Sequence, residues 1–105
     1  MNITDEIIVK KVKQGILSID KDAEVILFGS RARGDARKDS DWDFLFLTDK
    51  VITSSFEDEL IYKILDVELE ENAVVQVISK SKKEWETKYP VTALYLNIKD
   101  EGIRL

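Results

Sequence analysis

The sequence predicts a small α/β layer structure, and three observations lead there. Apolar periodicity alternates along the chain between helical spacing and short runs rich in β-branched or aromatic residues, in the order helix, strand, strand, helix, strand, helix. A length of 105 residues with 44% hydrophobic content suits one core and is too small for two. No linker, internal repeat or low-complexity tract divides the chain, so residues 1–105 are read as a single domain.

The first helix opens with Thr4 as its cap and Asp5 and Glu6 in its first turn, and Ile8, Val12, Ile16 and Ile19 then recur at helical spacing to about Asp20. Gly15 costs that helix about 1 kcal/mol relative to alanine, so tertiary packing must hold it. Glu24 to Phe28 reads as a short buried strand and Trp42 to Leu47 as another. Ser54 with Glu57 fits a capping box. The helix it opens runs to about Glu71, with Phe56, Leu60 and Ile64 beside Ile61, Leu65 and Leu69 as its apolar face. Ala73 to Ser79 is short and β-branched, a third strand. Ser81 with Glu84 is a second capping box, opening a helix that Pro90 stops. Val91 to Ile98 forms a further turn or two before Gly102.

Composition removes several kinds of chemistry. Without cysteine there are no disulfides, no thiolate catalysis and no cysteine-based zinc site. Without histidine the usual neutral-pH acid or base is missing, and so is the commonest metal ligand, so any metal must be held by oxygen. The start, Met1-Asn2-Ile3-Thr4-Asp5-Glu6, lacks the basic region and apolar core of a signal peptide. No apolar run approaches the ~18 residues of a membrane span, so a cytoplasmic location and no membrane partner are expected. A net charge of -5 argues against a protein that grips long nucleic acid through its phosphates. Between Ser55 and Asn72 seven acids face one lysine, a net of -6; this reads as a solvated helix face, with docking to a basic partner as the alternative.

The chemistry concentrates in Leu27-Phe28-Gly29-Ser30-Arg31-Ala32-Arg33-Gly34 and, beyond it, Ser40-Asp41-Trp42-Asp43. A glycine turn between a strand and a helix presents backbone N–H groups to an anion, Gly29 permitting close approach and the Ser30 hydroxyl adding a donor. Gly29 to Gly34 matches the first part of a P-loop, but Asp35-Ala36 stands where that motif needs lysine followed by serine or threonine, so a P-loop NTPase is rejected. Because strand side chains alternate, Asp41 and Asp43 share a face about 7 Å apart, while Trp42, Phe44 and Phe46 point the other way. Two such carboxylates repel each other unless a cation lies between them, and oxygen ligands beside phosphates select a hard ion, Mg²⁺. Taken separately, the Gly-Ser turn and the acidic turn each have a bland reading as a simple chain reversal. Of Arg31 and Arg33, one can face the site and clamp phosphate; the other is a surface charge.

These residues resemble the signature of the minimal nucleotidyltransferases, within the polymerase-beta-like nucleotidyltransferase superfamily: a glycine-serine turn, then serine-aspartate-x-aspartate on the next strand. The resemblance implies a small mixed β-sheet flanked by helices. It implies Gly29 and Ser30, with Arg31 and Arg33, on the nucleotide, and Asp41 and Asp43 as catalytic ligands of Mg²⁺. The activity implied is transfer of a nucleoside monophosphate, AMP from ATP, to a hydroxyl. It further implies a helical HEPN-type protein partner, which some members modify as the antitoxin of a pair; oligomeric state is left open. The family's active members carry a third acid on the strand after the long helix, and here Gln76 stands at that position. A neutral amide cannot act as a base or offset two cations, so a catalytically degenerate nucleotide-binding or partner-neutralising module is the alternative. Glu68, Glu70 and Glu71 lie just upstream, either as substitutes or as a solvated helix end.

Overall fold

The computed structural model describes residues 1–105 as α1 (Ile3–Ile19), β1 (Glu24–Phe28), α2 (Ser30–Arg33), β2 (Trp42–Thr48), α3 (Ser54–Glu71), β3 (Val75–Ser81), α4 (Lys82–Thr87), α5 (Ala93–Glu101) and β4 (Ile103–Arg104). The predicted order of helices and strands holds, with a short helix added after β1 and a two-residue strand at the C-terminus. The sheet runs β3-β2-β1-β4 and is mixed: β1 is antiparallel to both β2 and β4, while β2 and β3 are parallel. Parallel pairing needs a crossover, and α3 provides it between β2 and β3.

Two helix starts differ from the sequence reading. Asn2, not Thr4, caps α1, its Oδ1 accepting the Asp5 N–H at 2.8 Å. Asparagine is the stronger N-cap, so the helix begins earlier and takes Thr4 into its first turn. Thr53, not Ser54, caps α3 by accepting the Phe56 N–H at 3.1 Å. That shift leaves Phe56 where a capping box needs an acid, and Glu57 acts in the first turn through its charge. At α4 the Ser81 hydroxyl accepts the Glu84 N–H as the sequence predicts. The third strand lies two residues later than expected, starting at Val75, because the α3 C-cap Asn72 turns the chain in left-handed geometry at φ 51° first.

Both faces of the sheet are covered. On one side Trp42, Phe44 and Phe46 of β2, with Val25 and Leu27 of β1, pack against Ile8, Val12, Ile16 and Ile19 of α1 and against Phe56, Leu60, Ile64 and Val67 of α3. On the other, Leu45 and Leu47 join Ile26, Trp85, Tyr95 and Ile98 beneath α4 and α5. Central strand β2 is therefore apolar on both faces except at its two ends, where Asp43 is only half-buried and the buried Thr48 hydroxyl donates to Asp20. No helix is long and apolar enough to cross a membrane.

The acids at the end of α3 are largely committed to structure. Glu70 and Glu71 both pair with Lys11 of α1, and Glu68 accepts the Val75 N–H at 3.0 Å, fastening the start of β3. None of the three is free to replace an acid at Gln76.

Candidate active site

Sheet register assembles the site. Phe28 pairs with Asp43 across the antiparallel β1–β2 ladder, and Asp43 pairs with Gln76 across the parallel β2–β3 ladder. The end of β1, the start of β2 and the start of β3 therefore lie side by side. Gly29, the residue after Phe28, adopts φ +76°, a conformation that side-chain-bearing residues rarely take. A Cβ on Gly29 would collide with Asp43 Oδ2, so the second aspartate lies directly against the turn.

Asp41 is exposed one step further out, and the Gln76 side-chain amide reaches it, Nε2 donating to Asp41 Oδ2 at 3.5 Å. This places the third-strand polar residue on the face that Asp41 shares with Asp43. Burial pushes the Asp43 carboxyl above its usual range, and the charges of Asp41 and Glu101 add to the effect while Arg33 opposes it. Asp43 carries an unfavourable charge that a divalent cation would relieve. Two carboxylates with substrate phosphates and water are a sufficient set for Mg²⁺, so the donors fit that ion, although the protein provides no cluster of three acidic ligands.

The loop before β2 sets where Asp41 falls. Ser40 Oγ accepts the Arg37 N–H at 2.7 Å and the Ser40 N–H donates to the Arg37 carbonyl, closing a tight turn. Arg31 holds that turn from below: its Nη2 donates to the Ser40 carbonyl at 2.9 Å and to that of Lys38 at 3.2 Å, and its guanidinium lies 4.5 Å over the Trp42 ring. Arg31, expected with the nucleotide-binding residues, is thus engaged on the α1 side of the sheet as a support for the loop. The reason is helical geometry: α2 separates Arg31 and Arg33 by about 200° around its axis. Arg33 is the arginine that faces the cradle.

Glu101, at the end of α5, was not legible in the sequence. Its Oε1 accepts the Gly29 N–H at 3.2 Å and its Oε2 accepts from Arg33 Nη1 at 3.0 Å. A cavity of about 650 Å³ lies away from this cradle, between the 36–40 loop, the start of α1 and the Asn72–Val74 turn; its charged lining balances Arg31, Arg37 and Lys38 against Asp5, Asp39 and Glu71.

The mixed sheet thus sets Asp43 against a positive-φ glycine turn, with Asp41 beside it at Gln76. The chain belongs to the nucleotidyltransferase domain family, whose pattern matches residues 9–104, as the Gly-Ser and Ser-Asp-x-Asp motifs implied. Its fold is similar to that of a crystal structure of a toxin-antitoxin with AMP-PNP, at TM-score 0.65 and 18% identity over 90% of this chain and 69% of that one. It is also similar to the MntA-HpeT toxin-antitoxin in mutant form, at TM-score 0.60 and 18% identity over 99% of this chain and 72% of that one. Among curated proteins none matches the chain.

Proposed function

We propose that this protein transfers a nucleoside monophosphate, AMP from ATP, to a hydroxyl of a helical HEPN-type protein partner, in the cytoplasm and as the antitoxin of a pair. The observation that carries the reading is the three-strand register Phe28–Asp43–Gln76, which brings Gly29, the next residue after Phe28, against Asp43, with Asp41 against Gln76. In this reading the Gly29 N–H, the Ser30 hydroxyl and Arg33 hold the triphosphate, and Asp41 and Asp43 hold Mg²⁺. The bound ion would neutralise charge on the triphosphate and stabilise the leaving oxygen. The acceptor hydroxyl oxygen attacks the α-phosphorus, the bond from that phosphorus to the β-bridging oxygen breaks, and pyrophosphate leaves. The acceptor proton passes to solvent, because Gln76 offers no carboxylate to take it. AMP-PNP in one structural neighbour supports the nucleotide, and the toxin-antitoxin nature of both supports a protein partner. An exposed apolar stripe on α3, Ile61, Leu65 and Leu69 at 61%, 43% and 74% exposure, supports a protein partner. Calorimetry tests the site: ATP should bind only with Mg²⁺ present, and equal affinity without it would remove the metal from the account.

One observation favours a second reading, a nucleotide-binding module that neutralises its partner by contact. It is Gln76 itself, placed where an acid would complete the site and donating to Asp41 instead. The two readings separate on Gln76→Asp. A third carboxylate beside Asp41 and Asp43 should tighten Mg²⁺ binding and raise transfer by tenfold or more, about 1.4 kcal/mol or more of transition-state stabilisation. Mg²⁺ titration and product mass measure both effects. Unchanged binding and transfer in the variant would show that the Gln76 position does not serve the metal.

A further inference from the structure

The two protein donors that converge on the cradle, the Gly29 N–H and the Arg33 guanidinium, are both already engaged by one carboxylate, that of Glu101. Its side chain is only 15% exposed, so the contact is an inserted one rather than a loose surface pair. It also lies close enough to Asp43 for its charge to raise that carboxyl further. Two acids, Asp43 and Glu101, thus lie against a turn whose nearby cation is Arg33. Such crowding of negative charge does not stabilise the fold by itself, and the chain must hold it in place by other means.

The means are on either side of Glu101 in sequence. Ile98 and Tyr95 bury α5 against the sheet, and after Glu101 the chain passes so close to the Ile98 carbonyl and the Ile26 side chain that only glycine, Gly102, fits. Ile103 and Arg104 then pair with Leu27 and Ile26 along the edge of β1. The backbone at Glu101 is therefore anchored from both sides.

We propose that Glu101 is a resident anion of the phosphate site, standing in for a phosphate in the nucleotide-free protein and displaced when the triphosphate of the substrate binds. The proposal rests on the reading of Gly29 and Arg33 as triphosphate ligands. It makes Glu101 a positioning residue: it keeps Arg33 aimed at the cradle before substrate arrives, and the competition between carboxylate and triphosphate sets the affinity for nucleotide.

Removing the competitor should tighten binding of polyphosphates and of nothing else. In Glu101→Ala, calorimetry with Mg²⁺ should show ATP and inorganic tripolyphosphate each binding at least tenfold more tightly than in the wild type, with no corresponding gain for adenosine. Glu101→Gln, which keeps the shape and loses the charge, should show a smaller gain in the same direction. A purely structural Glu101 would leave the affinities unchanged or lower them together with the melting temperature. A Glu101 that ligates the metal would weaken Mg²⁺-dependent ATP binding on removal; either result overturns the proposal while leaving the nucleotide site standing. If neither wild type nor variant binds ATP or tripolyphosphate, both the proposal and the phosphate reading of Gly29 fail.

Discussion

Gly29→Val abolishes nucleotide binding, with an affinity for ATP at least about 100-fold below that of the wild type, or about 2.7 kcal/mol. Two effects combine at this position. Gly29 sits at φ +76°, where a β-branched residue is strained by about 1–3 kcal/mol. The added Cβ also meets Asp43 Oδ2, so the carboxylate must move off the turn and the approach to the Gly29 N–H is closed. The strain lowers the melting temperature as well, so binding is to be measured where circular dichroism shows the variant folded. Gly29→Ala separates the two effects: it keeps the collision and carries less of the β-branched strain. Normal ATP affinity in folded Gly29→Val would place the phosphate site elsewhere.

Asp43→Asn removes transfer to below about one thousandth of the wild-type rate, about 4 kcal/mol, because it takes away the half-buried carboxylate of the pair that holds the cation. The same substitution should stabilise the nucleotide-free protein. Asp43 has its folded pKa raised by burial, then by the charge of Asp41. A raised carboxyl binds its proton more tightly in the folded state, so its effect on stability is favourable below the unfolded pKa and is lost as pH rises through the folded one. Asparagine lacks this dependence. Denaturant unfolding should therefore show the variant gaining on the wild type as pH rises through and above the carboxylate range, with the gain levelling off at neutral pH. Loss of activity accompanied by loss of stability would mean that Asp43 serves the fold.

Local chemistry in the sequence reached far into the site. The bounds of β1 follow from five residues, Glu24 to Phe28, set between turn residues on either side. The two faces of β2 followed from side-chain alternation: Trp42, Phe44 and Phe46 lie in the core beneath α1 and α3, and Asp43 points the other way. Gln76, singled out by the family resemblance, meets Asp41 in the structure. What sequence reasoning missed depends on contacts between distant segments. Glu101 meets Gly29 across 72 residues, and no local periodicity reports such a meeting. A partial signal existed: Gly102 followed by alternating Ile103, Arg104 and Leu105 fits a close approach and a short edge strand. Which of Arg31 and Arg33 faces the cradle was likewise not legible, since it depends on where the short helix α2 points its two arginines.

The claim that the Gly29–Asp43 cradle is a site of nucleotidyl transfer is tested most directly by mass. The protein should be incubated with its purified partner protein, Mg²⁺ and each NTP in turn, and both chains weighed intact before and after. The account predicts that ATP adds the mass of one or more AMP groups to the partner, that Gln76→Asp increases the yield and that Asp43→Asn abolishes it. Unchanged masses for wild type and Gln76→Asp alike, under conditions in which ATP binds, would contradict transfer and leave a nucleotide-binding module in its place.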